Sequence, residues 1–192
     1  MSVRERARDL SCRLSSTDSN ISFPIVYRKF QGKTVSPSQG TIIEIYQTIY
    51  TRCYEKGVTI KELAVAQGVI ERGDLIFRIT EDKLTPRSEE DEIYKSIYRW
   101  GAVSISQNAT LVNGSSVNWG DIEPGDKIRF ASQGTFHRVA TIVNVASKLY
   151  LSEAYGQAAL TAATYHIYRP YQVVGWEKRM AQAEYFVQGR KI

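Results

Sequence analysis

The sequence predicts a mainly β chain, built as a small β-barrel or sandwich with a short helix at its N-terminus. Three observations carry this. From Gly101 onward, short alternating runs recur between turn signals at Asn113-Gly114, Pro124-Gly125, Gln133-Gly134 and Tyr155-Gly156. The chain holds twelve Tyr and three Trp, residues that favour half-buried pleated surfaces. Near the N-terminus, Thr41 to Tyr54 (TIIEIYQTIYTRCY) is an unbroken run rich in β-branched and aromatic side chains.

The elements follow in order. Val3, Ala7, Leu10 and Leu14 recur at helical spacing, with Arg4, Arg6, Arg8 and Arg13 around them. That is either a docking helix with a solvated basic face or an arm packing on a neighbouring subunit or acidic partner. Ser15 to Asn20 is a linker by composition. Ile21 to Phe30 reads as a strand, and Pro24 argues for an edge position or a bulge. Lys33 to Gly40 reads as a loop.

In the long run, Ile43, Ile45, Ile49 and Cys53 fall on one face. Glu44, Tyr46, Thr48, Tyr50, Arg52 and Tyr54 fall on the other. Fully extended at ~3.3 Å per residue it would reach about 45 Å, far beyond an ordinary strand. Such a strand bends across two sheets or projects from the body. A projecting ribbon lined with tyrosines makes Tyr46, Tyr50, Tyr54 and Arg52 candidate subunit or partner contacts.

Thr59-Ile60-Lys61-Glu62 has the spacing of a capping box, and Gly68 can end the short helix it opens. Glu71-Arg72-Gly73-Asp74, followed by alternating Leu75, Phe77 and Ile79, echoes Glu123-Pro124-Gly125-Asp126 followed by Ile128 and Phe130. Ser88 to Trp100 is open between a helix, from its cap and acidic first turn, and a tight hairpin. Beyond it, strands are expected at 103–106, 110–112, 127–130, 136–145, 149–151 and 165–169, then 171–174 and 184–188. Gln157 to Ala163 is small and helix-friendly, too short to matter.

Composition bounds the function. The chain has 192 residues, 43% hydrophobic and 23% charged, enough for one or two domains with a real core. A formal charge of +5 permits an anionic partner without demanding one. Cys12 and Cys53 form no disulfide framework and no Cys-x-x-Cys. No run approaches the ~18 apolar residues of a membrane helix, and no signal-peptide core opens the chain; synthesis in the cytoplasm is expected. His137 and His166 each sit in strand patterns without a second metal ligand at working spacing. Glu89, Glu90, Asp91 and Glu92 are consecutive and mark a solvated face, not an acid/base pair. No phosphate loop or nucleophile motif is present. The expectation is a protein that is not an enzyme, with no catalytic, cofactor or metal residues. A nucleic-acid-binding barrel is the alternative, although Arg129, His137 and Lys148 are sparse as an exposed platform.

The order of features from Val26 to Asp91 resembles the head-closure proteins of tailed bacteriophages, the stopper or head-to-tail connector of the neck. Gly68, Ile70, Gly73, Asp74, Phe77, Ile79, Leu84, Pro86, Asp91 and Ile93 occupy the positions of the family's Gly-Asp turn, its strand and the following Pro and Asp-x-Ile. Tyr171 to Trp176 and Tyr185 to Arg190 resemble its last strands. The resemblance implies a connector-type β-barrel over 21–105, closed by 171–192, with a second small β-barrel-like domain inserted at 106–170 and an N-terminal helix and linker over 1–20. It implies a structural protein of the virion neck, assembled as a homo-oligomeric ring, six- or twelve-fold. The ring would lie between the portal or adaptor and the tail or its terminator, and would help retain packaged DNA. A tail-completion ring is the nearest variant. Contact with DNA would be by non-specific proximity, through basic residues the resemblance does not name, and no membrane is involved.

Overall fold

The computed structural model describes residues 23–36, 40–57, 75–79, 84, 86, 89–131, 133–179 and 184–192. The expected N-terminal helix, the capped segment from Thr59 to Gly68 and the turn at Glu71–Asp74 lie outside the described residues. Those described are all β, without a helix. The strands are β1 (Phe23–Val35), β2 (Ile42–Gly57), β3 (Leu75–Ile79), β4 (Glu92–Tyr98), β5 (Ala102–Ile105) and β6 (Leu111–Ser115). They continue with β7 (Lys127–Phe130), β8 (His137–Asn144), β9 (Lys148–Leu151), β10 (Leu160–Ala163), β11 (Tyr165–Arg179) and β12 (Glu184–Lys191). The chain divides into two compact units, one of Met1–Tyr94 with Tyr171–Ile192, the other of Lys95–Pro170.

In the first unit the strands pair in the order β11-β12-β3-β2-β1-β4, and β4 pairs with β11 again, so the pairings form a circuit. Backbone bonds at that seam run from Glu89 N–H to the Val173 carbonyl (2.6 Å) and from Val173 N–H to the Asp91 carbonyl (2.9 Å). Alternation sends Ile25, Tyr27, Cys53, Phe77, Ile79, Ile93, Val173 and Val187 into one core. Gly189 is required there: a Cβ would lie 2.6 Å from the Phe77 ring and 3.0 Å from Tyr171 Cβ. Phe77 and Tyr171 then meet edge to face at 5.2 Å. The buried Asp91 accepts from the Tyr27 hydroxyl (2.6 Å) and from the Phe30 amide (2.8 Å).

In the second unit the order is β10-β5-β6-β9-β8-β7-β11. Its core gathers Val103, Val112, Trp119, Ile128, Phe130, Val139, Leu149 and Ile167. Trp119 Nε1 donates to the Tyr165 hydroxyl (2.9 Å), which donates to the Trp100 carbonyl (2.7 Å). Gly114 admits the indole, since a Cβ would stand 2.8 Å from it and 2.6 Å from Val117. The Glu123–Asp126 turn forms as expected, with Asp126 N–H bonded to the Glu123 carbonyl (3.1 Å) and Gly125 at φ 101°. The Asp126 carboxylate, also buried, takes Arg169 Nε and Nη2, each at 3.1 Å, and the Glu123 amide at 2.9 Å.

Several local expectations are corrected. Within the stretch left open between helix and hairpin, the described residues from Glu89 on form neither: β4 runs unbroken from Glu92 to Tyr98 and pairs with β1 and β11. Lys33 to Val35 is strand, continuing β1 past a bulge between Phe30 and Gly32. Pro24 lies in β1, opposite Arg52 of β2, and β1 is flanked by β2 and β4, with its bulge further on, between Phe30 and Gly32. Leu160 to Ala163 is the strand β10, held by β5 despite its small side chains. The runs at 165–169 and 171–174 are one strand, β11.

Candidate functional site

The β1–β2 hairpin carries the candidate site. Its register runs from Phe23↔Cys53 to Val35↔Ile42, and beyond that pair Ser36 N–H donates to the Thr41 carbonyl (2.8 Å) and Gly40 N–H to the Ser36 carbonyl (2.9 Å). The face bearing Cys53 and Ile49 starts in the core and leaves it: Cys53 is buried, Ile49 partly so, and Ile45 and Ile43 are exposed. On the opposite face, the cross-strand pair Val35 and Ile42 is 59% and 64% exposed. The outer end of the hairpin therefore shows aliphatic side chains on both faces. An isolated chain gains nothing from placing them there. Val35 and Ile42 were not singled out by sequence reasoning, because periodicity assigns faces but not where a strand outruns its core.

The tyrosine face is not uniform. Tyr46 is held within its own unit. Its ring meets Phe30 edge to face at 5.7 Å, the Arg28 guanidinium lies 4.1 Å over it, and its hydroxyl donates to Glu44 (2.9 Å). Burial, then the Glu44 carboxylate, raises the Tyr46 phenol above its ordinary pKa. Arg28 continues the cluster, 5.1 Å over Tyr94 and paired with Glu92 at 2.7 Å. Tyr50 and Tyr54, by contrast, are 59% and 39% exposed, and Arg52 between them is exposed as well.

Beside the hairpin, Lys33, Glu44, Tyr46, Glu89, Glu90 and Glu92 line a cleft of about 440 Å³. Lys33 reaches Glu44 at 3.0 Å across the two strands, and that hydrogen bond, with a lesser one from Tyr46, lowers the Glu44 pKa. Of the acidic run, Glu89 and Glu90 are exposed while Asp91 is buried, so only part of it is a solvated face. Among the described residues no group of three His, Cys, Asp or Glu is arranged to hold a metal ion.

The histidines lie in the second unit. His137 sits 5.7 Å from the Phe130 ring and 5.4 Å from Tyr155, with Nε2 enclosed and without a hydrogen-bond partner. Burial lowers its pKa, against a smaller opposing effect of Glu153. His166 stacks on Tyr168 at 6.0 Å, its pKa lowered by burial and then by the charges of Arg129 and Arg99. Neither has a carboxylate or nucleophile set against it at hydrogen-bonding distance among the bonds described. What this surface offers is contact area and charge.

Compared with known proteins, the chain matches no family model and no curated protein.

Proposed function

We propose that the protein is a structural ring component of the bacteriophage neck, joining the portal or adaptor at the capsid vertex to the tail. The observation that carries this is the β1–β2 hairpin, whose outer end is apolar on both faces. One face of a ribbon can be covered by a flat docking surface. Two faces are covered only if the ribbon is inserted between surfaces, as when each subunit of a ring slots its hairpin into the next. The hairpin and the surface receiving it are different patches, which is the heterologous contact a closed ring requires. Tyr50, Arg52 and Tyr54 extend the contact toward the barrel, Tyr and Arg being the residues most enriched in such interfaces. The β-rich fold and the connector resemblance agree with the reading, and the same geometry serves a ring on the tail side of the joint.

Electron microscopy of virions carrying the tagged chain tests it. A ring of label at the vertex-to-tail joint is expected. Label distributed over the capsid, or absent from the particle, overturns the assignment.

A further inference from the structure

The connection between β4 and β5, in the second unit, holds an indole in solvent. Only Arg99, Trp100 and Gly101 separate Tyr98 from Ala102. The loop is fixed on both sides. Tyr98 stacks on Tyr165 at 6.2 Å, and its hydroxyl accepts the Asn118 amide at 2.7 Å. The Trp100 carbonyl accepts from the Tyr165 hydroxyl, which Trp119 Nε1 holds in turn from the core. Gly101 turns the chain at φ 81°, and a Cβ there would stand 2.5 and 2.6 Å from the carbonyl oxygens of Ser116 and Ser115. The fold therefore sets the backbone under Trp100. Its side chain is nevertheless 69% exposed, the most exposed large apolar side chain among the described residues. Trp119, by contrast, is fully buried. A ring left in water contributes nothing to folding. Arg99 is exposed as well, with its guanidinium 5.9 Å from the Trp100 ring. The unit around them, Lys95–Pro170, carries seven Lys and Arg against four Asp and Glu.

We propose that the β4–β5 loop binds single-stranded nucleic acid, with a base stacked on Trp100 and a neighbouring phosphate met by Arg99. An unstacked base offers the indole a flat π face, and its backbone offers the negative charge that a net-cationic unit attracts. A duplex stacks its bases on one another and would leave the ring unused. An aromatic held on a short, fixed loop also gives up little conformational freedom when it binds. Every base has a π face, so the contact tolerates any sequence. None of this rests on the ring reading, which uses the hairpin of the first unit.

The test uses the full chain and fluorescein-labelled oligothymidylate of about 15 nucleotides, read by anisotropy at ~50 and ~200 mM salt. Binding that weakens with salt is expected, together with quenching of tryptophan emission. Trp100→Ala leaves every charge in place and should bind roughly tenfold more weakly, while Trp100→Phe keeps a ring and should recover most of the loss. Arg99→Gln should make the salt slope shallower by about 0.7. Circular dichroism checks that each variant is folded, and Arg99→Gln and Trp100→Phe keep the test sound if Trp100→Ala is not. Oligouridylate of the same length separates the two sources: tighter binding of one names DNA or RNA, and equal binding makes the site indifferent to the sugar. No binding at ~50 mM salt, a duplex of the same length bound as tightly, or binding untouched by Trp100→Ala overturns the proposal. Loss of self-association in Trp100→Ala with unchanged oligonucleotide binding overturns it too, and gives the indole to a subunit contact.

Discussion

Tyr27 donates its hydroxyl to Asp91 Oδ2 at 2.6 Å, tying β1 to the start of β4 across 64 residues of chain. The other carboxylate oxygen takes the Phe30 amide, so a fully buried charge is met from two sides. Removing the Tyr27 hydroxyl takes a hydrogen bond from a buried carboxylate, a costlier loss than that of a neutral acceptor's bond. Tyr27→Phe should therefore cost about 1.5–3 kcal/mol of stability, more than an ordinary hydrogen bond. Urea unfolding followed by fluorescence measures it, and a loss below ~0.5 kcal/mol would show that Asp91 does not depend on Tyr27.

Asp126 and Arg169 form the corresponding lock in the second unit. Asp126 is buried, and Arg169 approaches it through two nitrogens while also reaching the Asp121 carbonyl at 2.7 Å. Breaking a buried pair from one side costs more than the pair contributes, because the remaining ion is stranded. Arg169→Met should destabilise by roughly 3 kcal/mol, and adding Asp126→Asn should recover part of the loss. A double-mutant cycle on thermal unfolding reads the coupling; strict additivity would remove the pair from the account.

Where the sequence was legible, the reason was local. Lys127–Phe130 could be bounded to the residue because a Pro-Gly turn precedes a strict alternation. The great length of Thr41–Tyr54 was visible from composition alone. Glu92–Tyr98 was not, since Ser88 and the acids after it spell a helix start, and pairing with β1 and β11 overrides that local signal. Asp91 looks like its neighbours in an acidic run, and only the fold shows that it alone is buried. Leu160–Ala163 has little β propensity and becomes a strand through its partner β5. The opposition of Lys127 to Arg138 needed the register, because no sequence spacing sets β7 against β8.

Register also separates the tyrosines that periodicity grouped together. Tyr46 packs on Phe30 and under Arg28, while Tyr50 and Tyr54 are open. Tyr46→Ser should lower stability by about 1–3 kcal/mol, as loss of a half-buried ring does, whether or not the chain assembles. Tyr50→Ser/Tyr54→Ser should leave the melting temperature of the monomer nearly unchanged and reduce assembly. Sedimentation velocity beside thermal melts distinguishes the two, and normal assembly of the double variant would take these residues out of the contact.

The apolar end of the hairpin gives a sharper version of the same test. Val35→Lys/Ile42→Glu replaces an exposed aliphatic pair with one that is content in water, and the Lys33–Glu44 bridge beside it is retained. Folding should be unaffected within about 0.5 kcal/mol. Burying the new charges in a subunit contact would cost several kcal/mol, so the ring should fail to form at any accessible concentration. Assembly that survives these changes would mean the hairpin end stays in solvent.

Acid should weaken the second unit through its histidines. His137 and His166 both have pKa values lowered by burial, so the unfolded chain binds protons that the folded chain resists. Stability is then complete above the unfolded value near 6.5 and falls as pH drops below it toward the folded values. The His137 side is the more telling, since its enclosed Nε2 has no acceptor to receive the proton it would gain. Denaturation midpoints measured from about pH 7.5 to 5.5 should decline, and His137→Gln should flatten part of that slope, with His166→Gln removing a further part. A midpoint independent of pH over this range, or a slope untouched by either substitution, would show that both rings protonate in the folded protein as freely as in water.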